Sequence, residues 1–223
     1  MKAMSRKTDW NRALAPLFRK YGRRKHPLEY RTPYQLVVMV ILSSRSTDAF
    51  VNKVAPELFR AYPTLKELAN AEPEDLFPFV HGITNFRHKS EWLVAIAKAV
   101  KDDSRIPTTM EELTKLPGIG RKSANVIIGE LGGKCEGVIV DLHVARVAPR
   151  LGITKSDAPD KIEGDIMESI LPKYWHAAGM GMTFLGREVC RPKNPKCTEC
   201  VVRDVCGFYR KTLASAHLKR GGI

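Results

Sequence analysis

The sequence has no apolar run long enough to cross a lipid bilayer. The longest such run, Leu36 to Leu42, is far shorter than the roughly 20 residues that a membrane-spanning helix needs. The N-terminal residues, MKAMSRKTDW, carry charge and are not followed by the apolar stretch of a secretory signal. We therefore expect a cytoplasmic protein with no membrane partner.

Acidic residues are few relative to basic ones. The 223-residue chain has 24 Asp and Glu against 37 Lys and Arg, so its formal net charge at pH 7 is +13. That excess suits a polyanion partner, above all nucleic acid. Charge alone also fits a ribosomal or membrane-surface protein, or a soluble protein that is merely basic. Disorder of the whole chain is excluded, because 43% of the residues are hydrophobic and can form a core.

Strand-like segments are also scarce. The one β-like run, Val138 to Val140, is short and has no partner run, so we expect a buried extended segment that leads into a helix. Elsewhere, apolar residues recur at helical spacing, as in the stripe Leu93, Ile96, Ala97 and Val100. The pattern predicts an all-α fold.

Helix starts are expected where proline or a capping residue precedes such a stripe, at Thr32-Pro33, Asp48 and Thr108. Residues 207–223 are basic, and we expect them to form a partly disordered tail.

Four of the five cysteines lie within seventeen residues, in the spacing C-x6-C-x2-C-x5-C: Cys190, Cys197, Cys200 and Cys206. In a reducing compartment such clustering favours metal ligation over disulfides. Four thiolates suit either zinc or an iron–sulfur cluster, although only Cys197 and Cys200 form a zinc-type knuckle. The distant Cys135 is expected to be a buried or loop thiol.

Residues 113–131, LTKLPGIGRKSANVIIGEL, predict two helices joined by a tight turn. Glycines in the turn tolerate positive φ, and the N–H groups at the start of the second helix suit a phosphate oxygen. Ile119 is expected to pack back between the two helices. The motif therefore predicts a grip on the DNA backbone without sequence readout, and a plain αα-hairpin is the alternative. The DNA contacts are assigned to Gly118, Ile119, Gly120 and Arg121.

Lys122 lies in the first turn of the second helix. The positive end of the helix dipole, together with the partial burial that we expect, favours a neutral amine that can act as a nucleophile. Asp141, in VIVDLHVARV, can cap the next helix, and it can also stabilise positive charge that develops on a sugar. His143 is expected either to contact a phosphate or to have a structural role.

Three motifs occur in a fixed order: LPGIGRKSAN, then VDLH with Asp141 nineteen residues after Lys122, then the four cysteines. In that order the chain resembles endonuclease III, of the helix-hairpin-helix DNA glycosylase superfamily, from about Pro27 to Tyr209. The resemblance implies a six-helix barrel domain over residues 26–134 and an iron–sulfur domain formed by residues 1–25 and 135–223. It also implies a [4Fe-4S] cluster on the four cysteines and a monomeric protein.

The implied partner is double-stranded DNA that contains damaged bases or abasic sites, so a bacterial protein would be associated with the nucleoid. The implied activity is that of a bifunctional DNA glycosylase and abasic-site lyase that removes oxidised pyrimidines. Lys122 would attack C1′ of the flipped nucleotide and nick the strand by β-elimination, and Asp141 would assist. Arg191, Lys193 and Lys196 of the cysteine loop would contact DNA phosphate.

Two further segments of the resembling region are implied to enter the duplex. In ILSSRSTD, Arg45 replaces the usual Gln, and its long cation would fill the vacated stack or contact a phosphate. In HGITNFRHKSE, Ile83 lies near the usual leucine wedge, although this loop is about two residues longer than usual and Ile83 could instead pack inside. Leu142 replaces the usual Thr after Asp141.

Two other functions fit the same motifs. A mismatch-specific glycosylase shares the fold, but relatives that act only as glycosylases generally lack a lysine at the position of Lys122. A non-enzymatic DNA-binding protein with a hairpin and a metal site would use Lys122 only as a phosphate contact.

Overall fold

Helices account for all of the regular secondary structure in the computed structural model, which describes residues 8–220, with side chains as far as Leu213. No strand occurs in that range, which confirms the predicted all-α fold. Val138 and Ile139 are buried and lie outside any helix, as expected of an extended segment that precedes one. Over the same residues, no helix has both the length and the apolar content that a bilayer crossing requires.

Threonine caps start several of the helices. The hydroxyls of Thr32 and Thr47 each accept a hydrogen bond of 3.2 Å from the backbone N–H three residues on, so helices begin at Pro33 and Asp48 as predicted. The third predicted start is wrong by one residue. The capping hydroxyl belongs to Thr109 rather than Thr108, since only Thr109 has an N–H three residues ahead within reach, at 3.3 Å.

The chain divides into two compact units. The first runs from Lys25 to Lys134 and is called the hairpin unit; the second combines the residues up to Arg24 with those from Cys135 onward and is called the cysteine unit.

The hairpin unit contains seven α-helical segments in its described residues: α3 (Pro33–Ser43), α4 (Asp48–Ala61), α5 (Leu65–Leu68), α6 (Phe77–Val80), α7 (Phe86–Val100), α8 (Met110–Leu113) and α9 (Arg121–Glu130). Two 3-10 turns, Pro73–Leu76 and Asp103–Arg105, connect them. Helix α3 is apolar on nearly all sides, and every residue from Leu36 to Leu42 is buried. It packs against α4, α7 and α9, so it forms the centre of this unit.

The described part of the cysteine unit contains α1 (Trp10–Ala13), α2 (Ala15–Tyr21), α10 (Val144–Leu151), α11 (Pro159–Ser169), α12 (Trp175–Glu188) and α13 (Gly207–Arg220), with 3-10 turns at Pro172–Tyr174, Cys197–Glu199 and Arg203–Val205. Helix α12 packs against α2 and α10. Its glycines permit close approach, since a Cβ at Gly179 would lie 3.1 Å from the backbone N and O of Ile139. This contact fixes the extended segment that leads to Asp141.

The prediction of a partly disordered tail is wrong for residues 207–220, which form α13. The helix is anchored where it begins: Arg150 of α10 lies over the Phe208 ring, 4.7 Å from its centroid, and α13 packs against α10. Basic composition suggested a solvated tail, whereas the aromatic residues of the first turn provide apolar surface to bury. Residues 221–223 lie outside the described range.

Candidate active site and cysteine cavity

The turn between α8 and α9, residues 117–120, is built around glycine. Gly118 has φ +76°, and a Cβ there would lie 2.4 Å from a ring carbon of Trp92. Ile119 is only 3% exposed, which confirms that it packs inside, and its N–H donates to Leu116 at 3.2 Å. Gly120 precedes α9, and no side chain caps that helix. The turn thus presents the start of α9 without a covering side chain.

The two turn glycines give a matched pair of substitutions. We expect Gly118→Ala to lower the free energy of unfolding by about 1–3 kcal/mol, because alanine is strained at φ +76° and its methyl group would displace Trp92. Gly120 has φ −88°, and a methyl group there would have no atom within 4 Å. Gly120→Ala should therefore lower the free energy of unfolding by less than about 1 kcal/mol. Urea unfolding of both variants measures the difference. Equal losses would contradict the assignment of the turn to Gly118.

Lys122 lies in the first turn of α9 and its side chain is exposed, as is that of Arg121. The expected partial burial of Lys122 is wrong, because the first turn of α9 projects from the surface while burial begins at Ala124.

Asp141 caps the segment that starts α10. Its Oδ1 accepts hydrogen bonds from the backbone N–H groups of His143 and Val144, both 2.8 Å long. The half-buried carboxylate is therefore held by two amides through one oxygen. The predicted capping role is confirmed, and Oδ2 has no hydrogen-bond partner among the described residues.

His143 is held by Arg146, whose Nη2 lies 3.1 Å from the imidazole Nδ1. The ring is also hydrogen-bonded to the backbone of Gly186, which favours its protonated form. Burial lowers the pKa of His143, the positive charges of Arg187 and Arg146 lower it further, and the Asp141 carboxylate opposes both effects. The ring is therefore neutral near neutral pH.

Arg146 and Arg150 were not singled out from the sequence, although both belong to the structure of the site. Arg146 donates through Nε to the carbonyl of Cys190 and through Nη2 to that of Gly186, each at 3.0 Å. Arg150 donates to the carbonyl of Arg191 at 2.8 Å, and its Nη1 lies 3.5 Å from Cys190 Sγ. Two arginines one turn apart on a helix without acidic residues are the sequence signal that points to such carbonyl-binding roles.

The four clustered cysteines line one cavity. The remaining wall is largely apolar and contains two arginines: Val147, Arg150, Leu151, Leu185, Val189, Arg203, Phe208 and Tyr209. Among the described residues, no three His, Cys, Asp or Glu side chains are gathered as one bound metal ion requires. The thiols surround a space instead of converging on a point, as ligands of a polynuclear cluster do.

The chemistry of the thiols fits an iron–sulfur cluster. Burial raises the pKa of Cys197 and raises that of Cys200 to about 11, and the neighbouring cysteines add to both shifts. Thiolates in this cavity therefore need a cationic partner, which cluster iron supplies. The fifth cysteine, Cys135, is half-buried in a loop, as predicted.

The loop between the first two ligands is basic and exposed. Arg191 and Lys193 are both exposed, and neither has an ion pair among the described residues. Lys196 differs, because its Nζ lies 3.4 Å from a carboxylate oxygen of Glu199. Arg191 and Lys193 are thus the cations that this loop offers to a polyanion.

The two segments that were predicted to enter DNA differ in the structure. Arg45 is exposed and has a positive φ of 57°, which is uncommon for a residue with a side chain. Ile83 is 2% exposed and belongs to the core, which agrees with the alternative that it packs inside; its contact with DNA stays a prediction. The longer loop places Thr84 and Asn85, rather than Ile83, at its exposed tip. Leu142, after Asp141, is 71% exposed.

Comparisons with known protein families match two regions of the chain. A family model of HhH-GPD superfamily base excision DNA repair proteins matches residues 38–172, and one of the iron–sulfur binding domain of endonuclease III matches residues 190–206. The fold, the hairpin turn and the cysteine cavity therefore define a base excision DNA repair protein of the HhH-GPD superfamily.

Individual relatives narrow that class. Endonuclease III of Synechocystis sp. is 39% identical, with 80% of this chain and 83% of the relative covered. Endonuclease III of Thermotoga maritima is 37% identical, with 80% and 84% covered. A solved structure of a trapped endonuclease III–DNA covalent intermediate is 31% identical with a TM-score of 0.80, covering 91% of this chain and 96% of that chain. The chain belongs to the endonuclease III family. Its [4Fe-4S] cofactor goes with the matched iron–sulfur binding domain, residues 190–206, and this segment contains Cys190, Cys197, Cys200 and Cys206.

Proposed function

We propose that this member of the family is a bifunctional DNA glycosylase and abasic-site lyase that removes oxidised pyrimidines from double-stranded DNA. The observation that carries the proposal is an exposed lysine, Lys122, in the first turn of a helix whose N-terminus has no side-chain cap. A nucleophilic amine is thereby placed beside backbone N–H groups that suit a phosphate. The structure of a trapped covalent intermediate between a related endonuclease III and DNA supports the same chemistry.

In the first step the neutral Lys122 amine attacks C1′ of the damaged nucleotide. The new bond joins Nζ to C1′ as the N-glycosidic bond breaks, and the base departs with the bonding electron pair and takes up a proton. Opening of the sugar ring then gives an imine between Nζ and C1′.

In the second step the imine acts as an electron sink. A base removes a proton from C2′, the electron pair forms a C2′–C3′ double bond, and the C3′–O bond breaks so that the phosphate leaves. The strand is nicked on the 3′ side, and hydrolysis of the imine regenerates Lys122.

We assign two functions to Asp141. The first is the cap, since Oδ1 is occupied by the two amides; the second is to stabilise, through Oδ2, the positive charge that develops on the sugar. The fixed capping geometry means that the carboxylate needs no reorganisation during the reaction.

DNA phosphates are proposed to bind at three places. The start of α9 offers backbone N–H groups from the segment Gly118, Ile119, Gly120 and Arg121. The Ile119 N–H is an exception, because it already donates to the carbonyl of Leu116. His143 offers its half-buried imidazole, and the cysteine loop offers the exposed Arg191 and Lys193. Contacts of this kind fix the position of the duplex without reading its sequence.

Cys190, Cys197, Cys200 and Cys206 would hold the [4Fe-4S] cluster, and the iron–thiolate bonds that it would supply when bound would fix the segment from Cys190 to Cys206. Arg150 supports the same loop by binding the carbonyls of Arg191 and Pro192, at 2.8 and 3.2 Å. We propose that the site is structural, so that it holds the loop cations in place while Lys122 and Asp141 perform the chemistry. We also propose a monomer, since one chain contains all of these residues; a cytoplasmic location stays a prediction.

A panel of duplexes tests the proposal: oxidised pyrimidines, abasic sites, mismatches and undamaged DNA, each incubated with and without borohydride. We expect nicking of the oxidised and abasic duplexes, and a covalent protein–DNA species on both when borohydride is present. Base removal from mismatches alone would favour the mismatch-specific glycosylase. Nicking without a trapped species would contradict the imine, and binding without any cleavage would indicate a non-enzymatic protein.

A further inference from the structure

Lys89 is a lysine in the core of the hairpin unit. Lys89 belongs to α7 and is only 2% exposed, although its side chain ends in an amine. The Nζ donates hydrogen bonds to the carbonyls of Leu42 and Ser44, at 2.9 and 2.5 Å. These carbonyls lie in the last turn of α3 and in the residue that follows it. Lys89 therefore caps the negative end of the α3 dipole from the interior.

Burial of this amine is costly, which makes a purely incidental lysine a poor explanation. No carboxylate accepts a hydrogen bond or ion pair from Lys89 among the described residues. Desolvation lowers the pKa of Lys89 to about 8, so the group is still largely charged at neutral pH. A neutral amine would also retain enough N–H groups for both carbonyls. A methionine at this position would fill a similar volume at a lower desolvation cost.

The turn formed by residues 43–46 is called here the Arg45 turn. The Leu42 carbonyl directly precedes this turn, and the Ser44 carbonyl belongs to it. In this turn Arg45 has φ 57°, and the N–H of Ser46 donates to Ser43 at 3.0 Å. An L-residue in the left-handed region needs support from its surroundings, because the conformation is strained by about 1 kcal/mol or more.

A second contact holds the same turn from the other side. The Thr84 hydroxyl donates to the carbonyl of Arg45 at 3.0 Å, and the Thr84 N–H donates to Ser46 Oγ at 3.2 Å. Lys89 and Thr84 thus bind consecutive parts of the turn, while the Arg45 side chain is exposed. The backbone on both sides of Arg45 is fixed, and its guanidinium is left available.

We propose that Lys89 and Thr84 are positioning residues that lock the Arg45 turn so that the Arg45 guanidinium is presented, already oriented, to the gap that a flipped or missing base leaves in duplex DNA. The ligand class is an abasic or unpaired position in double-stranded DNA. The inference rests on the proposed function, because it requires that this unit bind damaged duplex, and on the expectation from the resemblance that Arg45 fills the vacated stack. Orientation in advance matters because ordering a free arginine side chain on binding would reduce affinity.

The test measures binding, so that it does not depend on catalysis. The probe is a duplex with a tetrahydrofuran abasic analogue opposite 2-aminopurine, compared with the undamaged duplex. Fluorescence anisotropy gives Kd, and 2-aminopurine emission reports unstacking of the orphaned base. Lys89→Met, Thr84→Val and Arg45→Ala are each made alone, and the first two are repeated in the Arg45→Ala background. Lys98→Met is the matched control, since Lys98 is an exposed lysine of the same helix.

We expect Arg45→Ala to weaken binding of the abasic duplex about tenfold, and Lys89→Met and Thr84→Val about three- to tenfold each. In the Arg45→Ala background their further effect should fall below about twofold, because they act through Arg45. The 2-aminopurine signal should fall with them. Thr84→Ser keeps the hydroxyl and should restore binding, and Lys98→Met should match the wild type.

Losses of equal size in both backgrounds would overturn the inference, as would wild-type affinity of Arg45→Ala or failure of Thr84→Ser to restore binding. If Lys89→Met does not fold, the Thr84 variants decide the question. A wild type that binds abasic and undamaged duplexes equally would instead contradict the proposed function, which separates the two failures.

Discussion

Replacement of Lys122 by glutamine is expected to abolish strand nicking and borohydride trapping while duplex binding is largely retained. Glutamine has a similar reach and keeps N–H donors for a phosphate, but its amide nitrogen is not a nucleophile. Loss of a covalent nucleophile costs roughly 10⁴- to 10⁶-fold in rate. Single-turnover kinetics on a preformed abasic site measure this loss directly, because the lyase step then needs no base removal.

Retained binding is expected because Lys122 is one cation among many on a chain of net charge +13. The exposed side chain packs against nothing in the core, so the fold should not change. Lys115→Gln is the matched control: Lys115 is also exposed and near the hairpin turn, and its partner is Glu111 at 2.7 Å. It should nick at the wild-type rate. Nicking by Lys122→Gln within about tenfold of wild type would show that another group is the nucleophile.

The sequence correctly places Lys122 in the first turn of a helix because that position depends only on local structure. A turn that needs positive φ at Gly118 and an apolar plug at Ile119 places the following residues at the start of a helix. Asp141 is predictable for a similar reason, since an Asp just before a helical stripe is a capping residue. The clustering of the cysteines is likewise visible in the spacing alone.

What the sequence does not reveal depends on packing between distant segments. Ile83 has the composition of a wedge, yet it is buried, because the turn that follows it exposes Thr84 instead. The C-terminal residues have the composition of a tail, yet aromatic contacts to α10 begin a helix there. Lys89 lies four residues before Leu93 on the apolar stripe of α7, which is a signal, but its carbonyl partners lie more than forty residues away.

The capping and electrostatic functions of Asp141 can be separated by two substitutions. Asparagine keeps a carbonyl oxygen that can accept the bonds from the His143 and Val144 N–H groups, and it is itself a good N-cap residue. Alanine removes both bonds. We therefore expect Asp141→Ala to lower the free energy of unfolding by about 0.5–2 kcal/mol and Asp141→Asn to leave it nearly unchanged.

Catalysis should respond differently from stability. Both variants lose the negative charge at Oδ2, so we expect Asp141→Asn to slow removal of an oxidised base by roughly 10²- to 10⁴-fold, the usual contribution of a general acid–base group. The lyase reaction on a preformed abasic site should slow less, because no base has to depart. Thermal unfolding and single-turnover rates on the two substrates measure these effects. If Asp141→Asn removes the base at the wild-type rate, the proposed electrostatic function of Asp141 is contradicted. A neutral side chain that accepts the same two hydrogen bonds would then be enough for activity, and only the capping function would remain.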